Sequence, residues 1–136
     1  MAVVVNEKNK VLIGSSPRNG GYKFPQGGLE KGETLIQGIT RELKEEVGLD
    51  LDEKSILQTF DEKVKYYYPE KTHPHLNNVG QEQTVFKIKY DDSMTLVPQD
   101  DEFEKLIWIN PKDLEKYDTK HRTPAYKKAL ELCGLL

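Results

Sequence analysis

The sequence predicts an α+β fold in which a mixed β-sheet is held between a central helix and a terminal one. Two Val- and Ile-rich runs open the chain, and an apolar residue at every fourth position marks a helix at residues 35–47. Strand-like segments then follow without the regular alternation of a doubly wound sheet. A chain of 136 residues can bury one core without disulfides or a structural metal, so a single domain over 1–136 is expected.

Ala2–Asn6 and Lys10–Gly14, separated by Glu7-Lys8-Asn9, predict a hairpin entering the sheet. Ser15–Tyr22 is turn chemistry around Pro17 and Asn19-Gly20-Gly21. Phe24-Pro25 predicts a brief strand end, and Gln26–Glu33 a loop. Thr34 as N-cap and Gly48 as stop bound a helix from Leu35 to Val47. Leu35, Ile39, Leu43 and Val47, with Ile36 beside them, form the stripe it lays on the sheet. Asp50–Ser55 is a polar connection, and Ile56–Tyr68 a strand ending in three tyrosines. Pro69–Gly80 predicts a long polar loop of the kind that carries function or moves. Gln81–Tyr90 follows as a central strand, Asp91–Asp101 as a loop and Phe103–Ile109 as a strand containing Trp108. Asn110-Pro111 opens a helical turn through Leu114. Thr123–Leu132 is the closing helix, with Pro124 in its first turn and Tyr126, Ala129 and Leu130 facing inward.

Composition narrows the class. A content of 36 % hydrophobic and 32 % charged residues is that of a soluble globular protein. No apolar run approaches membrane-spanning length, and the first residues turn polar too quickly for a signal peptide. A cytoplasmic protein without a membrane partner is expected. The lone Cys133, among Leu130, Leu132 and Leu135, is expected to be a small buried hydrophobe. A net charge of −3 argues against a global basic surface for nucleic acid, so an anionic substrate needs local cations or metal ions.

The helix at 35–47 carries its acid in the wrong half. Glu42, Glu45 and Glu46 lie near the negative end of the helix dipole, where each carboxylate costs roughly 0.3–1 kcal/mol. Glu42 and Glu46 are also four residues apart, a repulsion of about 0.2–0.5 kcal/mol. A divalent cation held by all three reverses the sign of these terms. A hard ion such as Mg²⁺ seeks carboxylate, carbonyl and water oxygens and shares substrate phosphates. The glycines before the helix let backbone carbonyls approach such a ligand. Arg41, four residues before Glu45, can pair with a carboxylate and restrain the loop.

The spacing of these residues resembles the signature of the Nudix hydrolases, G-x5-E-x7-R-E-U-x-E-E-x-G-U with U a bulky aliphatic residue. Gly27, Glu33, Arg41, Glu42, Leu43, Glu45, Glu46, Gly48 and Leu49 fill every fixed position. The resemblance implies an α/β/α sandwich and Mg²⁺-assisted hydrolysis of a nucleoside diphosphate linked to another group, with Mn²⁺ able to substitute. It implies Glu42, Glu45, Glu46 and the Gly27 carbonyl as metal ligands, with Glu33 and Arg41 supporting the loop. Close carboxylates titrate together, so Glu45, Glu46 and one acid outside the motif all stand as candidates for the general base.

Further stretches resemble the RNA pyrophosphohydrolases and the bacterial and plant diadenosine tetraphosphate hydrolases of that family. They are Phe24-Pro25-Gln26-Gly27-Gly28, Gly80-Gln81-Glu82-Gln83, Tyr66, and Glu102-Phe103 with Trp108. The implied substrates are 5′-triphosphorylated RNA, left as the 5′-monophosphate, and dinucleoside polyphosphates. The nearest enzymatic alternative is a house-cleaning nucleoside triphosphate pyrophosphohydrolase. A catalytically silent nucleotide-binding module of the same fold predicts a lost motif carboxylate, and all are present. Glu102 is implied as a metal ligand or base. Gln81 and Gln83 are either substrate-binding or the polar face of a strand. Tyr66 either stacks on a base or packs at a sheet edge. Two departures bear on substrate choice. Ser15-Ser16 stands where the group has a basic pair, leaving Arg18 as a substitute, and His121-Arg122 stands where it has an aromatic residue and a lysine. His121 is either a base-stacking ring or a surface histidine. Lys116, Lys120, Arg122, Lys127 and Lys128, with Lys71, His73 and His75, suggest a basic rim around a nucleotide or a short RNA 5′ end.

Overall fold

The computed structural model describes residues 1–69, 80–99 and 102–136. Its centre is β1 (Ala2–Val5), buried along its whole length. Val3 and Val5 enter one core while Ala2 and Val4 enter the other, as an apolar run without polar alternation requires. Beside it, antiparallel, runs β2 (Val11–Ser15), which pairs in turn with β3 (Tyr22–Lys23). The two-stranded partner sheet consists of β5 (Val64–Tyr67) and β6 (Gly80–Gln83). On the far side of β1, β7 (Phe86–Lys89) lies parallel to it and carries the antiparallel edge strand β4 (Ile56–Thr59). A final strand, β8 (Lys105–Ile109), pairs antiparallel with β2 from Val11↔Ile109 to Ser15↔Lys105. The main sheet is therefore mixed, as expected.

Helix α1 (Leu35–Val47) covers one face and α2 (Thr123–Leu132) the other. Thr34 and Gln37 close a reciprocal capping box at the start of α1, with Gln37 N donating to Thr34 Oγ1 at 3.1 Å and Thr34 N to Gln37 Oε1 at 3.0 Å. Gly48 ends the helix at φ 66°, and its amide reaches back to the Leu43 and Lys44 carbonyls. Ile39, Leu43 and Val47 pack on Ala2, Val4, Leu12 and Phe86. On the opposite face Tyr126, Ala129, Leu130 and Cys133 pack on Val3, Val5, Ile13 and Phe24.

Three expectations are corrected. Ile56–Tyr68 is not one strand. Ile56 packs with the α1 core, but Val64 and Tyr66 pack with the α2 core. These even-numbered residues would share one face of a continuous strand, but a register shift between Ile56 and Gln58 and the bend at residues 61–62 interrupt it. Gln81–Tyr90 also divides, because β6 pairs with β5 while β7 pairs with β1 and β4. The apolar stripe of α1 begins only at Ile39. Leu35 and Ile36 are 44 % and 37 % exposed, and Leu35 borders a cavity instead of the sheet.

Candidate active site

The loop before α1 and the second half of that helix are fastened together by charge. Gly27 lies so close to Glu42 that a Cβ there would overlap the carboxylate, which only glycine avoids. One turn on, Glu46 is 3 % exposed, and its Oε2 accepts a hydrogen bond from the Gln26 amide at 3.0 Å. Arg41 supplies the counter-charge. Its Nε and Nη2 donate to the two oxygens of Glu33 at 2.7 and 2.9 Å, and Nη2 also reaches the Gly28 carbonyl at 2.9 Å. Nη1 donates to Glu42 at 2.8 Å and to Glu45 at 3.1 Å. A planar fork with fixed donors suits this task better than an ammonium would.

Environment separates these acids. Its hydrogen bond from Arg41 holds Glu33 below the ordinary carboxylate range. Burial pushes Glu42 up despite Arg41. Glu46 is pushed up to about 8, first by burial and further by the charges of Glu42 and Glu102, against the pull of Lys23. Among the described residues, no three His, Cys, Asp or Glu side chains converge as a ready-made metal cluster. Glu42 and Glu45 lean on Arg41 instead, and Glu46 leans on the loop amide. The donors are all hard oxygens, though, and the enclosed Glu46 carboxylate faces like charges that a divalent cation would offset. The set fits Mg²⁺ or Mn²⁺.

A cavity of about 330 Å³ opens beside Gly27. It gathers Arg18, Tyr66, Gln81, His121 and Arg122 from distant parts of the chain, together with Asn19, Lys23, Gln26 and Tyr68. Gln83 lies outside it. With Gln81, Gly27 and Glu42, Gln83 borders a neighbouring cavity of about 340 Å³. Between the two runs a chain of hydrogen bonds. The Phe24 amide donates to Tyr126 Oη at 3.3 Å, and Tyr126 Oη to Gln26 Oε1 at 2.7 Å. Gln26 Nε2 donates to Tyr66 Oη at 2.6 Å, and Tyr66 Oη to Gln81 Oε1 at 2.7 Å. Gln83 Nε2 donates to the same Gln81 oxygen at 2.6 Å. Tyr66 is 5 % exposed, with its ring packed against Tyr68 and His121 at centroid distances of 6.2 and 5.4 Å. Tyr66 is thus largely enclosed while still bordering the cavity. The rings left half-buried at the cavity are Tyr68 and His121.

The cations divide as clearly. Arg18 is exposed and meets Glu102 at 3.4 Å. Arg122 is 3 % exposed, with Nη2 donating to the Gly20 and Tyr22 carbonyls at 2.8 and 3.3 Å. It therefore forms part of an inner wall rather than a rim. Lys116, Lys120, Lys127 and Lys128 each have an acid partner, Asp113, Asp118, Glu115 and Glu62 respectively. Lys71, His73 and His75 lie outside the described residues, as do Asp100 and Asp101. Sequence reasoning missed Lys23 and Tyr68 as cavity residues and gave Gln26 no role. Gln26 stood within the Phe24–Gly28 stretch and was within reach. A single strand lysine carries no comparable signal.

Residues 1–131 match the family model described as the NUDIX domain. A Nitratiruptor protein named RNA pyrophosphohydrolase is 39 % identical over 113 residues, covering 81 % of this chain and 72 % of its own length. One of the same name from Legionella pneumophila (strain Corby) is 32 % identical over 136 residues, covering 95 % of this chain and 78 % of that protein. Among solved structures, the E. coli dihydroneopterin triphosphate pyrophosphohydrolase superposes with a TM-score of 0.77 at 17 % identity. That likeness of fold spans 97 % of this chain and 90 % of the other.

Proposed function

The chain belongs to the NUDIX domain family, and we propose that it is a Mg²⁺-dependent pyrophosphohydrolase. It converts 5′-triphosphorylated RNA to the 5′-monophosphate, and dinucleoside polyphosphates are its second substrate class. The observation that carries this reading is the 39 % identity to an RNA pyrophosphohydrolase, in a chain that keeps every fixed residue of the signature. One domain over residues 1–136 and a cytoplasmic setting go with it. Among the described residues, no helix is long and apolar enough to cross a membrane.

The Gly27 carbonyl, Glu42, Glu45, Glu46 and Glu102 are the groups that would hold the ion. Bound there, Mg²⁺ supplies charge neutralisation for the polyphosphate and polarises the phosphorus under attack. Arg41 does not touch the substrate in this scheme. It fixes the loop carbonyls against the helix by gripping Glu33 and Gly28 while orienting Glu42. A water oxygen bonds to phosphorus as the bridging P–O bond breaks, and the water proton passes to a carboxylate. Glu102 and Glu45 have reachable oxygens for that proton, with side chains 28 % and 57 % exposed, whereas Glu46 is enclosed. Gln81 and the half-buried rings of Tyr68 and His121 border the cavity and would receive a base beside the polyphosphate.

A substrate comparison tests this. With Mg²⁺, triphosphorylated RNA is expected to yield pyrophosphate and 5′-monophosphorylated RNA, diadenosine tetraphosphate to be cleaved as well, and both reactions to stop with EDTA. Cleavage of free nucleoside triphosphates alone, or inactivity on all of these, would reject the assignment.

A further inference from the structure

Lys23 and Arg122 stand apart from the other basic residues near the site. Lys23 is 7 % exposed and Arg122 3 %, yet among the described residues neither forms an ion pair. The lysines that neighbour Arg122 in sequence are paired with acids on the surface. An enclosed cation that makes no direct ion pair is costly to bury, and an anionic ligand beside it would offset that cost. Of the three N–H donors on Lys23, one reaches Asn19 Oδ1 at 3.2 Å and the others have no partner among the described residues. Arg122 uses Nη2 on two carbonyls, while its buried Nε has no hydrogen-bond partner among the described residues.

Their placement gives the partner its chemistry. Both side chains line the 330 Å³ cavity, with Arg18 and Asn19 at its side and Gln26 and Gly27 on the wall shared with the acids. Burial lowers the pKa of Lys23 first of all, and the like charge of Arg122 adds to it. Glu46, Glu102 and Glu42 act in the opposite sense from the acidic side. Lys23 thus sits between a face suited to a cation and a hollow suited to an anion. Arg122 cannot swing freely to meet a ligand, because its contacts with the Gly20 and Tyr22 carbonyls brace the turn that leads into Lys23.

We propose that Lys23, held in place by this bracing, directly binds a phosphate group of the substrate lying in the cavity beyond the metal-holding acids. The assignment rests on the chain being a polyphosphate hydrolase. It adds a residue outside the signature that selects for an extended phosphate chain. The same chemistry would suit a phosphodiester of an RNA strand, so two probes are needed.

The experiment is a calorimetric titration of the full chain, in EDTA, with inorganic tripolyphosphate and separately with a 5′-hydroxyl dinucleotide. Wild type, Lys23→Met, Lys23→Gln and the surface control Lys8→Met, in the exposed turn between the first two strands, are compared, each with its melting temperature. Wild type and Lys8→Met should bind tripolyphosphate alike, and both Lys23 variants should bind it roughly tenfold more weakly, as expected for loss of a charge-assisted contact. Lys23→Met should melt at or above wild type, since it removes a buried charge. If the dinucleotide shows the larger Lys23 dependence, the site reads the RNA backbone and the polyphosphate assignment falls. Unchanged tripolyphosphate binding by the Lys23 variants, no binding by wild type, or a large fall in melting temperature would each overturn the proposal. These titrations need no turnover, so an inactive substrate panel would reject the proposed reaction while leaving this result to stand by itself.

Discussion

Along the acidic side of the site, Glu33, Glu42 and Glu45 share one arginine; along the cavity wall, two buried cations make no direct ion pair among the described residues. The acids outnumber their counter-charge, and Glu46 behind them is driven toward its protonated form by burial. The cations, for their part, have only neutral hydrogen-bond partners among the described residues. Each side is individually unfavourable, and Gly27 lies at their junction, touching Glu42 and bordering the cavity. A divalent cation offsets the first imbalance and a phosphate chain the second. The difference between the two regions therefore describes a metal–polyphosphate ligand better than either region does alone.

The comparison can be broken at Arg41. If the acidic side owes its shape to that fork, Arg41→Ala should lower kcat/KM by about 10- to 100-fold, as loss of a group orienting metal ligands does. It should leave tripolyphosphate binding in EDTA unchanged. Parallel loss of both would show that the two regions are not separately built. A smaller effect is expected at their boundary. Tyr66→Phe removes the hydroxyl linking Gln26 to Gln81. Leaving these partners unsatisfied should reduce stability by about 1–3 kcal/mol in denaturant melts, with KM rising more than kcat falls. An unaltered melt would mean that the chain of hydrogen bonds does not hold the wall.

The two regions also differ in how visible they are beforehand. Glu33, Arg41, Glu42, Glu45 and Glu46 lie within fourteen consecutive residues, on one loop and one helix. Helical periodicity and dipole arguments therefore locate them without knowledge of the rest of the fold. The cavity wall joins β3 to a turn about a hundred residues later, through contacts such as Arg122 to Gly20. Local spacing cannot express that juxtaposition. It also hid which tyrosine is enclosed, because adjacent tyrosines take opposite faces and only packing decides which face is inside. The sheet was legible where runs are apolar on both sides, as in β1. It was misread where the chain crosses between sheets, since Ile56 and Val64 carry the same strand pattern into different cores.

The central claim is that the acids on α1 are gathered for a cation. Its most direct test is titration of Mn²⁺ into wild type and Glu46→Gln, followed by the loss of the free-ion paramagnetic resonance signal. Wild type should bind the ion, and Glu46→Gln, an isosteric change that keeps an acceptor for the Gln26 amide, should bind at least about tenfold more weakly. Equal Mn²⁺ affinity in a folded Glu46→Gln protein would contradict the account.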